Sequence, residues 1–261
     1  MNHTTWAILT GEYPPDRGGV SDYTRVVAEG LARGGDRVHV FAPPATHAGQ
    51  RPKIAGVTVH RLPDSFGMRG LMQIGETLDR LPKATRLLVQ YVPHAFGHKA
   101  MNIGLCLWLF AQRRRWKIDV MFHEVFVECG AHVSLGQNIM GAVQRAMLIL
   151  LLAAADRLFV STSWWEDRIR PFLRGSFLRG AKPVVVLPVP GAPAITCNLP
   201  RASQPSKSQR ITSGSRSPPF SSRTVKPSAY ATVGGCSDSL DASTVTAFAI
   251  CSRTASSPFS L

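Results

Sequence analysis

Two adjacent glycines, Gly18 and Gly19, are the first residues whose type and spacing could support chemistry. They follow a short apolar run over residues 6–10 and precede a segment with helical spacing. Without side chains they let backbone N–H groups approach a ligand closely, and a helix N-terminus adds partial positive charge. The pair therefore predicts an anion site. The alternative interpretation of the same pair is a wide turn.

Histidine and glutamate residues stand at the ends of two later apolar runs. His94 follows the run that ends at residue 92, and His123 and Glu124 close the run that begins at residue 118. Such side chains can hydrogen-bond a polar ligand or transfer a proton. A metal site is not predicted, because His123 and Glu124 are adjacent and would point to opposite faces of a strand. For His94 the alternative interpretation is an ordinary surface histidine.

Three common nucleotide-binding and nucleophile patterns are missing from the sequence. The dinucleotide fingerprint G-x-G-x-x-G and the phosphate-binding pattern G-x-x-x-x-G-K-[ST] do not occur. The apolar run over residues 37–42 also ends without the acidic residue that would hold a ribose. The G-x-S-x-G motif of a serine nucleophile is absent as well. The sequence therefore argues against a nicotinamide or flavin cofactor.

The elements that must position these residues alternate between strand and helix patterns. Ser21 is predicted to cap a first helix that ends at Gly34 and Gly35. Strands are predicted over residues 6–10, 37–42, 57–62, 86–92, 118–123, 157–162 and 184–187, and further helices over residues 70–81, 103–115 and 136–155. This alternation predicts an α/β fold, a Rossmann-like parallel sheet with helices on both faces.

The composition changes near residue 190. The chain has 261 residues and is 44% hydrophobic, which is enough to bury a core. Residues 191–261 contain 16 serines and 7 prolines, but only two acidic residues. Such a composition buries too little apolar surface to offset the entropy lost on ordering. We therefore predict a folded domain over residues 1–190 and a disordered Ser/Pro/Arg-rich tail over residues 191–261.

The charge balance is strongly basic, since 30 Lys and Arg residues against 16 Asp and Glu residues give +14. This charge attracts anions such as nucleic acid, anionic lipid or phosphorylated small molecules. Basic residues of the tail occur singly, with few aromatic residues between them, so nucleic acid is not expected as a partner. The cluster at residues 113–117 could lie against anionic lipid with Trp116 at the interface, or it could be a solvated helix end.

Cysteine usage and the amino-terminal sequence indicate the compartment. The five cysteines are odd in number and show no C-x-x-C spacing, which is typical of a reducing environment. No signal peptide is recognised, and the longest apolar runs are too short or carry a charge, as Arg145 does. The protein is therefore expected in the cytoplasm, either free or as a peripheral protein at the inner face of the membrane.

Four motifs in order resemble the amino-terminal domain of family-4 glycosyltransferases of the GT-B architecture. They are T-G-E-Y-P-P-D-R-G-G-V-S-D-Y-T at 10–24, Q-Y-V-P-H at 90–94, F-H-E at 122–124 and L-F-V-S-T at 158–162. The resemblance covers about residues 5–190. It implies a retaining transferase that moves a sugar from a nucleotide-sugar donor to a glycan or lipid-like acceptor. It implies no metal and no other cofactor.

The resemblance also implies roles for individual residues. Gly18 and Gly19 would meet the diphosphate of the donor, and His123 would lie beside the transferred sugar as the catalytic residue. The residues that would line the acceptor side are Tyr13, Asp22, His94 and Glu124. These roles come from the family and not from the spacing of the residues.

The sequence departs from the family after residue 190. The carboxyl-terminal domain of the family carries an E-x7-E motif and a basic pair that clamp the diphosphate, and no Glu follows Glu166 here. The resemblance therefore implies that a frameshift or truncation has removed the donor-binding domain, and that the chain is weak or inactive alone. The alternatives are a non-catalytic module that depends on a partner chain and a basic protein that binds membrane surfaces.

Overall fold

The protein is described here by a computed structural model that covers residues 3–47, 54–174, 182 and 184–187. Within these residues seven parallel strands form one sheet in the order β3-β2-β1-β4-β5-β6-β7. The strands are β1 (Thr5–Thr10), β2 (Arg37–Ala42), β3 (Val57–Arg61), β4 (Arg86–Tyr91), β5 (Lys117–Phe122), β6 (Arg157–Val160) and β7 (Val184–Val186). The predicted α/β fold with a parallel sheet is confirmed. The predicted tail over residues 191–261 lies outside the described residues.

Five helices and three short 3-10 helices connect the described strands. The helices are α1 (Gly19–Arg33), α2 (Met68–Asp79), α3 (Ile103–Gln112), α4 (Leu135–Ala154) and α5 (Ser163–Ile169). The 3-10 helices are Pro93–Phe96, His98–Ala100 and Arg170–Arg174. Each of α1 to α5 begins after the carboxyl end of a strand. The N-termini of the helices and the loops that precede them therefore gather at one edge of the sheet.

The central strands are covered on both faces, which explains their nearly continuous apolar sequences. Every residue of β1 is buried, and only the first residues of β4 and β5 are not. Along β1 the side chains alternate: Trp6 and Ile8 pack with α1, whereas Ala7 and Leu9 belong to the core that includes α2, α3 and α4. The predicted helices on both faces of the sheet are confirmed.

The first helix begins earlier than predicted. The Ser21 hydroxyl donates to the Asp16 carbonyl oxygen at 2.6 Å instead of capping the helix, and α1 starts at Gly19 with Gly18 as its N-cap. The prediction of Ser21 as the cap is therefore wrong. The other end is confirmed, because Gly34 is the C-cap and Gly35 has a φ of +89°, which favours glycine.

The position of Trp116 differs from the one expected if this residue lay at a lipid interface. Helix α3 ends at Gln112, three residues before the predicted end, and the turn that follows places Trp116 in the core with 4% exposure. The prediction of Trp116 at a membrane interface is therefore wrong. Two neighbouring basic side chains have acidic partners, Asp79 for Arg115 and Asp156 for Lys117.

Helix α4 is the one described helix that is long and apolar enough to cross a membrane by length and composition. Seven of its residues are buried against the rest of the domain, among them Met147, Leu148 and Leu151. It also packs along α3. These contacts are those of a core helix.

A buried ion pair joins Arg86, the first residue of β4, to Asp119 in β5. The Arg86 guanidinium donates to both carboxylate oxygens of Asp119, with Nη2 at 2.8 Å from each and Nε at 3.2 Å from Oδ2. The Asp119 side chain has no exposed surface. Arg86 also lies over the ring of Trp6 on β1. One side chain thus ties together the three central strands.

Asn102 fixes the segment that follows β4. Its side-chain amide donates to the carbonyl oxygens of Phe66 at 3.1 Å and Phe96 at 2.9 Å, and its oxygen accepts from Leu105 N as the cap of α3. The residue is buried. A single side chain therefore holds the start of α3 against the loops before α2 and after β4.

We expect Asn102→Ala to lower the free energy of unfolding by about 2–4 kcal/mol, because the helix loses its cap and two buried carbonyls lose a donor. Urea denaturation followed by circular dichroism measures the change. Ser134→Ala is the control, since Ser134 caps α4 with one exposed hydrogen bond to Gln137 N, and about 1 kcal/mol is expected there. Equal losses in the two variants would contradict the importance of the buried bonds.

Candidate functional site

The candidate site lies at the carboxyl ends of β1, β4 and β5. The order of the sheet reverses between β1 and β4, so the connections after these two strands leave toward opposite faces. In open α/β sheets this reversal opens a crevice where ligands bind. The glycine pair, His94, His123 and Glu124, which are far apart in the sequence, all follow these strands.

His94 and Glu124 form an ion pair at the mouth of the site. His94 Nδ1 lies 3.2 Å from Glu124 Oε2, and both side chains are more than half exposed. The bond to Glu124 raises the pKa of His94, and the bond to His94 lowers the pKa of Glu124. The structure thus brings together two residues that the sequence placed on different strands.

Glu12 is a third residue near this pair, and its importance was not recognised in the sequence. We call His94, Glu124 and Glu12 the His94 group. Burial raises the pKa of Glu12, His94 opposes that shift, and the charge of Glu124 adds to it. His94 therefore interacts with two carboxylates from different loops. The signal in the sequence was an acidic residue two positions after a buried strand.

We expect the His94 pKa to fall when Glu124 is replaced by Gln, because burial then lowers it with only Glu12 to oppose that effect. NMR titration of the imidazole protons measures the shift. The raised His94 pKa and the lowered Glu124 pKa also mean that the pair stabilises the fold fully between pH 4.5 and pH 6.5, the two ordinary values. This contribution is lost as the pH rises through the raised His94 pKa or falls through the lowered Glu124 pKa. An unchanged His94 pKa would contradict the pairing.

The two glycines of the predicted anion site differ in their surroundings. A Cβ atom on Gly18 would overlap Glu12 Oε2, whereas a Cβ atom on Gly19 would meet no atom within 4 Å. Gly19 is also the first residue of α1, whose first N–H groups have no partner inside the helix. The open side of Gly19 is therefore the surface at which an anion can approach the helix N-terminus.

Another glycine, Gly11, brings two loops into contact. A Cβ atom on Gly11 would overlap both the side chain and the backbone of Ala95. Ala95 follows His94 in the 3-10 helix after β4. Only a glycine at position 11 therefore lets the loops after β1 and β4 approach this closely.

His123 lies on the floor of the site, bonded to the end of β4. Its Nε2 is 2.7 Å from Gln90 Oε1, and the ring of Tyr23 stands edge-on at 5.0 Å between centroids. Burial lowers the pKa of His123 to about 4, against a small opposite effect of Glu124. The imidazole is therefore neutral at pH 7. With Gln90 Oε1 as the partner, Nε2 carries the proton and Nδ1 is the acceptor, and this amide orientation leaves Gln90 Nε2 buried without a hydrogen-bond partner among the described residues.

The backbone of His123 is held as firmly as its ring. Its N–H donates to the Tyr91 carbonyl at 3.0 Å, and its carbonyl accepts from the Ser161 hydroxyl at 3.3 Å. The ends of β4, β5 and β6 therefore all position this residue. No role was predicted for Gln90 from the sequence, although the residue stands at the end of a strand next to the predicted histidines.

Two further predicted residues are not part of the His94 group. Tyr13 is buried in the core cluster that contains Tyr23, and burial raises the pKa of both phenols to about 12. Asp22 is exposed in the first turn of α1. In the described part of the chain neither side chain forms a hydrogen bond or ion pair with Glu12, His94 or Glu124.

The loop after β1 is anchored by a carboxylate that sequence analysis missed. Asp16 Oδ1 accepts from Thr46 N at 2.9 Å, Thr46 Oγ1 at 2.7 Å and His47 N at 3.0 Å. Burial raises the Asp16 pKa, but the bonds from Thr46 and His47 together outweigh this effect and bring it to about 2. The loop is thus fastened to the segment after β2.

Arg61 anchors the same loop from its other side. The guanidinium donates to the carbonyl oxygens of Tyr13 and Pro14 and, at 2.9 Å, to that of Pro43. The Pro14–Pro15 peptide bond is cis. Arg61 is the last residue of the edge strand β3. The glycine-containing loop is therefore held by β3 as well as by the segment after β2. Within the described residues no group of three or more His, Cys, Asp or Glu side chains could hold a metal ion.

The fold is a Rossmann-like α/β domain with a group of polar side chains at the switch point of its sheet. A family model described as Glycosyl transferase 4-like domain matches residues 18–190. The match covers more than half of the chain, and the chain therefore belongs to this glycosyltransferase family. It confirms the resemblance to the amino-terminal domain of family-4, GT-B glycosyltransferases. No curated protein matches the sequence.

Proposed function

We propose that the protein is a retaining glycosyltransferase that uses a nucleotide-sugar donor and a glycan or lipid-linked acceptor. The observation that carries this proposal is the neutral His123, held by Gln90 with Nδ1 as its acceptor nitrogen. A neutral acceptor can take a hydrogen bond from a sugar hydroxyl without repelling the positive charge that develops on the sugar. Membership of the glycosyltransferase family supports the same assignment.

The diphosphate of the donor is proposed to meet the open side of Gly19. That glycine leaves room for a ligand, and the first N–H groups of α1 can donate to phosphate oxygens. Gly18 contributes its backbone, while Glu12 covers its other side. This arrangement needs no metal ion in the described domain, and we propose metal-independent transfer in the cytoplasm.

The acceptor is proposed to bind at the His94 group. Glu12 and Glu124 can accept hydrogen bonds from acceptor hydroxyls, and His94 keeps the two carboxylates from repelling each other. Tyr13 would act from beneath the loop, since it is buried. Asp22 offers an exposed carboxylate at the start of α1 for a more distant acceptor group.

A transfer assay with radiolabelled UDP- and GDP-sugars tests the proposal. The full chain is incubated with mixed glycan and lipid-linked acceptors, alone and with the products of neighbouring genes. Weak transfer with retention of the anomeric configuration, read by NMR of the product, is the expected result for the chain alone. Transfer only with a second chain would favour a partner-dependent module. The proposal fails if no donor is bound or consumed in either arm.

A further inference from the structure

A cavity of about 520 Å³ lies between α2, α3 and the segment that leads into α3. Its lining is mainly apolar and includes Phe66, Leu71, Met72, Met101, Ile103 and Trp108. Pockets of about 300–1,000 Å³ are typical of small-molecule sites. The first residues of α2 and α3 follow strand ends, so the part of the cavity lined by Gly67, Met68 and Ile103 lies toward the same edge of the sheet as the candidate site.

The interior of the cavity offers little to a polar ligand. Asn102 lines it, but its amide and its oxygen are already bonded to Phe66, Phe96 and Leu105. His98 also lines it and is exposed. Apolar groups are therefore favoured inside, and a polar group is favoured only at the exposed histidine.

The walls leave open space and can adapt to a chain. A Cβ atom on Gly75 of α2 would meet no atom within 4 Å, although this glycine lines the cavity. Met68 and Met72 are 74% and 59% exposed, and unbranched methionines adjust to irregular apolar ligands. Such a wall suits a flexible hydrocarbon chain better than a rigid polar group.

The cavity is connected to the His94 group by a short, unusual segment. His98, Lys99 and Ala100 all have left-handed backbone with φ between 52° and 65°, a conformation that costs energy and clusters at ligand sites. The segment is held by a hydrogen bond from Gln144 Nε2 to the Ala100 carbonyl at 3.3 Å. His98 lines the cavity four residues after His94, and the exposed Lys99 adds a positive charge next to it.

We propose that this cavity binds the aliphatic chain of an amphiphilic acceptor whose polar head reaches His94 and Glu124. The inference rests on the proposed transferase function and narrows its acceptor to a molecule with a hydrocarbon chain. Burial of the chain supplies binding energy away from the reacting hydroxyl. His98 and Lys99 at the entrance provide cationic and hydrogen-bonding groups for the junction between chain and head.

Isothermal titration calorimetry with n-alkyl β-glucosides, from butyl to decyl and below their micelle concentrations, tests the proposal without a donor. Each added methylene is expected to tighten binding to the full chain by about three- to fourfold until the cavity is filled. Gly75→Phe, which fills the cavity from α2, should weaken binding of octyl glucoside by about tenfold or more. Gly75→Ala should change it much less.

A matched control separates filling of the cavity from a general effect of the substitution. Gly136→Phe places the same side chain on α4, outside the cavity, where a Cβ atom also meets nothing within 4 Å. It should leave the affinity unchanged. An affinity that does not depend on chain length, or a Gly75→Phe variant that binds like the wild type, would overturn the proposal.

The experiment also distinguishes this inference from the proposed function. Chain-length-dependent binding that Gly75→Phe abolishes supports the cavity even if no sugar is transferred, and the transferase proposal then fails alone. The opposite result is sugar transfer to glycan acceptors together with glucoside binding that depends neither on chain length nor on the residue at position 75. In that case the function stands, and the hydrocarbon-chain acceptor is rejected.

Discussion

Replacing His123 with Ala is expected to lower the rate of sugar transfer by about a hundredfold or more. The substitution removes the neutral imidazole whose Nε2 is fixed by Gln90 and whose Nδ1 is proposed to accept a hydrogen bond from the sugar. Hydrogen bonds that strengthen as charge develops on the sugar contribute to the rate rather than to ground-state binding. Initial rates at saturating donor concentration, compared with those of the wild type, measure the effect.

A second variant distinguishes the loss of the imidazole nitrogens from a loss of packing around residue 123. His123→Phe keeps an aromatic ring beside Tyr23 but has no nitrogen, and it should lose as much activity as His123→Ala. His132→Ala, at an exposed loop histidine, should retain full activity. Thermal unfolding of each variant checks that the fold is intact. A folded His123→Phe variant with wild-type rates would remove His123 from the reaction.

Arg86→Met is expected to lower the free energy of unfolding by about 3–5 kcal/mol. The variant leaves the fully buried Asp119 carboxylate without the guanidinium that meets both of its oxygens. An uncompensated buried charge costs much more than the pair itself contributes. Urea denaturation at neutral pH, with the midpoint and slope fitted together, measures the loss.

Two comparisons make the Arg86 experiment specific. Arg86→Met combined with Asp119→Leu should recover most of the stability, because the double variant buries no unpaired charge. Arg115→Met removes an equivalent side chain from an ion pair with Asp79 in which both partners are more than half exposed, and a change of at most about 1 kcal/mol is expected. A double variant as unstable as Arg86→Met would contradict the role of the buried charge.

Most of the sheet could be predicted from the sequence because its central strands are covered on both faces. A strand such as β4 then appears as a mainly apolar run, and turn residues mark where it ends. Errors concentrate where a side chain has two competing partners. Ser21 has the right residue type for a cap, but its hydroxyl bonds the Asp16 carbonyl instead.

Two other differences also have local causes. Helix α5 is only seven residues long, too short for a helical period to be visible, and Thr162 caps it where a strand was predicted to continue. Trp116 follows three arginines, a context typical of an exposed face. The chain turns inward after Gln112, and the indole fills the core.

The candidate site was predictable in its location but not in its pairings. Parallel strands place their carboxyl ends at one edge, so the grouping of His94 with Glu124 followed from topology. The bond between Gln90 and His123 depends on register, since β4 and β5 pair Gln90 with Met121 and leave His123 one residue beyond the last pair, Tyr91 and Phe122. The anchoring of the glycine loop by Asp16 likewise joins residues 30 apart.

The reversed order of the sheet has a consequence for how the chain is made. Strand β1 pairs on one side with β2, but its other neighbour, β4, begins 80 residues after Trp6 (86 − 6 = 80). At about 5–20 residues per second a ribosome needs about 4–16 s to deliver that partner. During this interval one edge of a mainly apolar strand lacks its pairing, and such edges seed aggregation. The yield of native protein therefore depends on how quickly β4 follows β1 and on what shields β1 until then.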